Sequence, residues 1–200
     1  MSEPVKKEAT YGDLCDIPDN MTGEIIDGEL ILTPRPSRKH GFTATVLGSR
    51  ITPPYSFGEG GGPGGWIFII TPEIGLGKDI VVPDLAGWRE ERFPESEDHN
   101  WISVAPDWVC EVLSPDTVRT DRIKKMHAFA GSLVRYAWLI DPALMTLEVF
   151  RLESGRWSLL DAWSENDKVR AEPFQELELD LANLWLEMRQ RRQPGQSPEE

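Results

Sequence analysis

Apolar and polar residues alternate on either side of the Asp27-Gly28 pair, which predicts a β-hairpin with Glu24 to Ile26 entering the turn and Glu29 to Thr33 leaving it. Further on, Phe42, Val46, Leu47 and Ile51 are spaced as one helical face and predict a helix over 40–51. GWIFIIT, starting at Gly65, and IVVPDLAGW, Ile80 to Trp88, read as strands from their aromatic and β-branched content, with GLGKD turning between them. The charged, aperiodic stretch from Arg89 to Asn100 reads as a surface connection. PDWVCEVLS, Pro106 to Ser114, is mostly apolar on both faces, the mark of a central strand in a covered sheet. A helix is predicted over 120–132 with Ile123, Met126, His127 and Ala130 on one face and Asp121 near its start. RYAWLID, TLEVFRL and RWSLLDAW then predict an antiparallel meander, with turn signals at Asp141-Pro142 and Ser154-Gly155. Leu181, Leu184, Trp185 and Met188 form a last helical stripe, so a closing helix is expected from Asp180 to Met188.

This order of elements predicts one α/β domain over residues 21–190: a mixed central β-sheet flanked by helices, with antiparallel C-terminal strands. Residues 1–20 are polar and turn-rich and read as an arm with one short helix around Tyr11 to Cys15, and 191–200 as a disordered polar tail. The glycine run from Gly58 to Gly65 lacks the Lys-Ser/Thr ending of a phosphate-cradling loop and reads as a flexible connection. Its apolar runs are too short to span a bilayer, and the first residues lack a secretory pattern. Cys15 and Cys110 are too few for a disulfide framework, so a soluble cytoplasmic protein is expected.

Charge narrows the functional classes. The chain has 21 basic and 34 acidic residues, a formal net charge of −13, which argues against generic binding to phosphate backbones. A localised site remains open, because a bound metal supplies local positive charge and basic residues cluster at Arg119, Arg122, Lys124 and Lys125. The candidate chemistry lies in two acids set within apolar strands, Asp84 in VVPDLAGW and Glu111 in PDWVCEVLS. Burying a lone carboxylate costs several kcal/mol, so each needs a cation, a hydrogen-bond network or water. One hard divalent cation held on oxygen ligands would satisfy both. By strand parity Asp84 shares a face with Val82 and Ala86, and Glu111 with Val109 and Leu113. On the pattern alone, each acid could equally lie at a strand end, hydrated or paired with an arginine.

VPDLAGW, APDWVCEVLSPDT, DRIKKMHAFA, YAWLIDP, TLEVFRL and LELDLANLW, in that order and spacing, resemble the Uma-type restriction endonuclease family of the PD-(D/E)XK nuclease superfamily. With GEIIDGELI and the His40 region, the likeness covers roughly residues 20–186. It implies a restriction-endonuclease-like fold, with Asp84 and Glu111 as carboxylates for a Mg²⁺ or Mn²⁺ ion. The usual superfamily lysine two residues after the acid is replaced here by Leu113. The likeness places that lysine on the following helix, at Lys125 in preference to the adjacent Lys124. Glu24 matches a family glutamate and is a candidate third metal carboxylate, with Glu29 the weaker neighbour. His40 matches a family position, and Ser114 could cap or orient the site. The implied activity is metal-dependent hydrolysis of nucleic-acid phosphodiester bonds, DNA first, by a chain that pairs as a homodimer. Two other readings stand beside it: a nuclease-fold binding protein without activity, and a carboxylate-pair glycosidase needing no metal, prompted by eight tryptophans.

Overall fold

The computed structural model describes residues 8–96 and 98–191. The first seven residues of the expected arm, and the expected tail from residue 192 onward, lie outside the described residues. Helix α1 (Tyr11–Cys15) precedes a hairpin of β1 (Met21–Ile26) and β2 (Glu29–Pro34). Both turn residues, Asp27 and Gly28, have positive φ, 53° and 73°, the twist that a two-residue hairpin loop requires. Next come α2 (Arg38–Ser56), β3 (Trp66–Ile70), β4 (Ile74–Leu76), β5 (Asp79–Val81), β6 (Leu85–Arg89) and β7 (Trp108–Val112). A π-helical segment, Thr120–Lys125, runs straight into α3 (Met126–Gly131). The chain continues through β8 (Tyr136–Asp141), β9 (Thr146–Glu153), β10 (Arg156–Ser164), β11 (Lys168–Val169) and β12 (Leu179–Asp180) to α4 (Leu186–Arg191).

The central sheet has six strands in the order β10-β9-β8-β7-β6-β3, and a smaller sheet runs β2-β1-β5-β4. β7 and β8 are parallel neighbours, while β8-β9-β10 form the predicted meander, so the central sheet is mixed. On one face of it Leu47, Ile51 and Tyr55 of α2 pack with Trp108, Cys110, Trp138 and the C-terminal Leu181, Leu184 and Trp185. On the other, Met126 and Phe129 of α3 pack with Val109, Ala86, Leu139 and, from the smaller sheet, Ile26 and Val81. Residues of β7 therefore alternate between two apolar layers, which is why its sequence is hydrophobic on both faces.

Three expectations are corrected. Ile80 to Trp88 is not one strand: it leaves the smaller sheet after Val81 and enters the central sheet at Leu85. Pro83 has no backbone N–H to continue a ladder, so the break falls beside it. The helix over 120–132 turns a different side inward, burying Asp121, Lys125, Met126 and Phe129 while Ile123 is 50% exposed. Asp121, Lys125 and Phe129 recur every four residues on the inward side, and two of these positions are charged. The closing segment is a 3₁₀ turn, Leu181–Asn183, followed by α4 rather than one helix. Asp180 accepts from the Ala182 N–H at 3.1 Å and Leu181 N–H donates to Asp167 at 3.0 Å, which anchors the first turn separately.

Candidate active site

Five structural elements bring their polar residues to one pocket of about 330 Å³. Glu24 comes from β1, His40 from the first turn of α2, Asp84 from the break before β6, Glu111 from β7, and Asp121 and Lys125 from the π-helical segment. The rim carries the exposed Arg35, Pro36 and Asp116, with Ser114 and Thr117 beside them.

Asp84 is fixed through both oxygens. The His40 Nε2–H donates to Oδ1 at 2.6 Å, and the Val112 backbone N–H donates to Oδ2 at 2.7 Å. Asp84 is thereby tied to the end of the strand that carries Glu111. The break at Pro83 also releases the polar groups of Val82 from any ladder: its N–H donates to Glu24 Oε1 at 2.7 Å, and its carbonyl accepts from Lys125 Nζ at 2.9 Å.

Lys125 lies at the middle of the cluster, with Glu111 Oε1 at 2.8 Å, Glu24 Oε1 at 3.1 Å and Asp121 Oδ1 at 3.8 Å from its amine. The side chains of Lys125 and Glu111 are each 3% exposed. Burial pushes the Glu111 carboxyl well above the usual carboxylate range; Lys125 pulls it back, and Asp121, Asp84 and Glu24 push it further. Burial also lifts Asp121 to about 6, against the lowering effects of Lys125 and a Thr117 hydrogen bond. Burial alone would lower Lys125, but the surrounding carboxylates, Glu111 foremost, outweigh it and raise its pKa, so the amine is a fixed positive charge. Glu111 Oε1 is ion-paired with Lys125 at 2.8 Å and, among the described residues, takes no other hydrogen bond.

The two lysines part company here. Lys125 is buried among the acids, whereas the half-buried Lys124 donates to Glu29 Oε2 at 2.8 Å, away from the pocket. Ser114 Oγ lies 3.0 Å from Thr117 Oγ1 at the rim. In the sequence Asp121 stood as a helix-start residue and as the first position of the Asp-Arg-x-x-Lys pattern that the resemblance matches, with no role in the site given to it. Its signal was the four-residue spacing to Lys125, which brings the two side chains together on a helical surface.

The donor set is oxygen-rich and suits a hard divalent cation, and the buried Glu111 Oε1, with Lys125 as its polar neighbour, keeps lone-pair capacity for one. Among the described residues no three His, Cys, Asp or Glu side chains form a closed cage, and the amine of Lys125 stands among them.

Comparison with known proteins agrees with this fold. A crystal structure of a putative nuclease belonging to DUF820 from Anabaena variabilis ATCC 29413 superposes with a TM-score of 0.72 at 25% identity, over 90% of this chain and 99% of that one. A search of curated proteins found no match. The Uma2 family, described as "Putative restriction endonuclease", matches residues 9–182. A mixed sheet between helical layers, a nuclease-fold neighbour and a match over most of its length together place the chain in the Uma2 family.

Proposed function

We propose that this chain is a metal-dependent endonuclease that hydrolyses phosphodiester bonds of nucleic acid, DNA foremost. The observation that carries the reading is the meeting of Glu111 and the buried Lys125 amine, 2.8 Å apart, in a pocket also lined by Asp84. Asp84 and Glu111 would hold Mg²⁺ or Mn²⁺. When bound, that cation neutralises phosphate charge and makes a coordinated water more acidic. The remaining work falls to the protein. His40 and the Val112 N–H hold Asp84 in a single orientation, as donors behind a ligating carboxylate do. Lys125 keeps its proton and presents a fixed positive charge where negative charge grows on a phosphate oxygen. Cutting both strands of a duplex calls for two such sites, so a homodimer is the proposed active form.

The net charge of −13 favours a second reading, a nuclease-fold protein that binds a partner without cleaving nucleic acid. Incubating plasmid and single-stranded DNA with the protein in Mg²⁺, Mn²⁺ or chelator separates the two. Cleavage should require the cation and fall by about 100-fold or more in Glu111→Gln and Asp84→Asn. Equal cleavage by wild type and both variants would remove the proposed site. Saturable Mn²⁺ binding with no cleavage of any nucleic acid would favour the second reading.

A further inference from the structure

We infer that Glu24 and Asp121 are positioning residues that act through Lys125, and that Glu24 holds the lysine instead of serving as a third cation ligand. The inference rests on the proposed reading of the site. Glu24, Lys125 and Val82 form a closed ring of contacts. The Val82 N–H donates to Glu24 Oε1 at 2.7 Å, that oxygen lies 3.1 Å from Lys125 Nζ, and the amine donates back to the Val82 carbonyl at 2.9 Å. Asp121 Oδ1 flanks the amine at 3.8 Å from one turn earlier. A lysine side chain is long and flexible, so aiming its amine takes more than one contact. Here a backbone carbonyl and three carboxylates, Glu111, Glu24 and Asp121, bound it, each on a different element or turn.

The carboxylates differ in what they have left to offer. Asp84 accepts from an imidazole and a backbone amide, which leaves further lone pairs on both oxygens. Glu111 Oε1 faces the Lys125 amine at 2.8 Å and, among the described residues, no backbone donor. Glu24 Oε1 has an amide at 2.7 Å and a full ammonium charge at 3.1 Å. Two donors already occupy that oxygen, an amide and an ammonium, whereas Glu111 Oε1 faces the ammonium alone and keeps more lone-pair capacity for a cation. Glu24 therefore serves the lysine, and Asp84 with Glu111 serve the cation.

The test uses the full chain and three readouts: Mn²⁺ affinity by calorimetry, kcat and KM on DNA, and reductive methylation of Lys125 followed by peptide mass spectrometry. Glu24→Ala should leave Mn²⁺ affinity and KM unchanged while kcat falls about 10- to 100-fold, the cost of a misplaced group. Glu24→Gln, which keeps an acceptor oxygen, should recover most of that loss. Lys125 should resist methylation in wild type and react in Glu24→Ala and Asp121→Asn. In a Lys125→Met background, Glu24→Ala should cost nothing more, since residues acting through one group are not additive. If Glu24→Ala does not fold, Asp121→Asn and Glu24→Gln in the same background carry the comparison. A fall in Mn²⁺ affinity in Glu24→Ala as large as in Glu111→Gln would overturn the inference, as would losses that multiply in the Lys125→Met background. Wild type that neither binds Mn²⁺ nor cleaves would instead overturn the reading of the site on which it rests.

Discussion

Lys125 is enclosed by Glu111, Glu24, Asp121 and Asp84, more negative charge than one ammonium can neutralise. Burial raises Asp121 from 3.8 to about 6, a difference of about 3 kcal/mol between its two protonation states. The direction of the pH effect follows from linkage. A carboxyl whose folded pKa lies above its unfolded value contributes stability fully below the unfolded value, and loses it as pH rises through the folded one. Metal-free protein should therefore lose stability between about pH 4 and pH 6, and urea unfolding in chelator should show a shallower fall in Asp121→Asn. A midpoint in Asp121→Asn with the same pH slope as wild type would show that Asp121 is already ionised throughout. At this scale the sequence was informative about acids in apolar surroundings: Asp84 and Glu111 stood out because nothing near them was polar. It was silent about the partners. His40 meets Asp84 across 44 positions, and Val82 enters through its backbone, which no side-chain pattern records.

Among the elements, β6 and β7 do most to place the acids. They pair antiparallel with Leu85 opposite Cys110 and Gly87 opposite Trp108, and this register brings Asp84, just before β6, to the end of β7. Gly87 is the point where that register is most exposed to damage. A Cβ there would lie 2.7 Å from Phe68 Cε1 and 3.3 Å from Trp108 Cε3. Both rings belong to a packed aromatic group with Phe174, with centroids of 5.5 and 5.1 Å to it, so neither can swing aside freely. Gly87→Ala should cost about 1–3 kcal/mol in urea unfolding, as overpacking does, and a cost near zero would mean that the rings yield. The strands of the meander were legible because turn residues bracketed them. The break at Pro83 was misread: valines and leucine carried the strand signal across a proline that ends the ladder. The inward side of the segment over 120–132 was misread for a related reason. Hydrophobic periodicity counts apolar residues, while the side that faces inward carries the charged Asp121 and Lys125 and leaves Ile123 half exposed.

For the whole molecule, the net charge of −13 and the proposed cation act on the same stability. Self-repulsion of so acidic a chain weakens the compact state, and any added salt relieves part of it by screening beyond about 8 Å at physiological ionic strength. A rise in melting temperature on adding MnCl₂ is therefore ambiguous until ionic strength is held constant. At fixed ionic strength a site that binds only the folded chain still stabilises, by about 2.7 kcal/mol when the ion is at 100 times its Kd. For a domain of this size that corresponds to about 5–10 °C. Scanning calorimetry with NaCl exchanged against MnCl₂ should show a rise of this size in wild type. Glu111→Gln should lose the rise, even though removing one acid from around Lys125 relieves repulsion and leaves Glu24 and Asp121 beside the amine. Lys125→Met gives the complementary case: the cluster loses its internal cation, so the metal-free fold should weaken, by the several kcal/mol that uncompensated buried charge costs, while the Mn²⁺ increment grows. The two variants move in opposite directions only if cation and lysine share Glu111. An equal Mn²⁺ increment in wild type, Glu111→Gln and Lys125→Met would place ion binding elsewhere on this acidic surface.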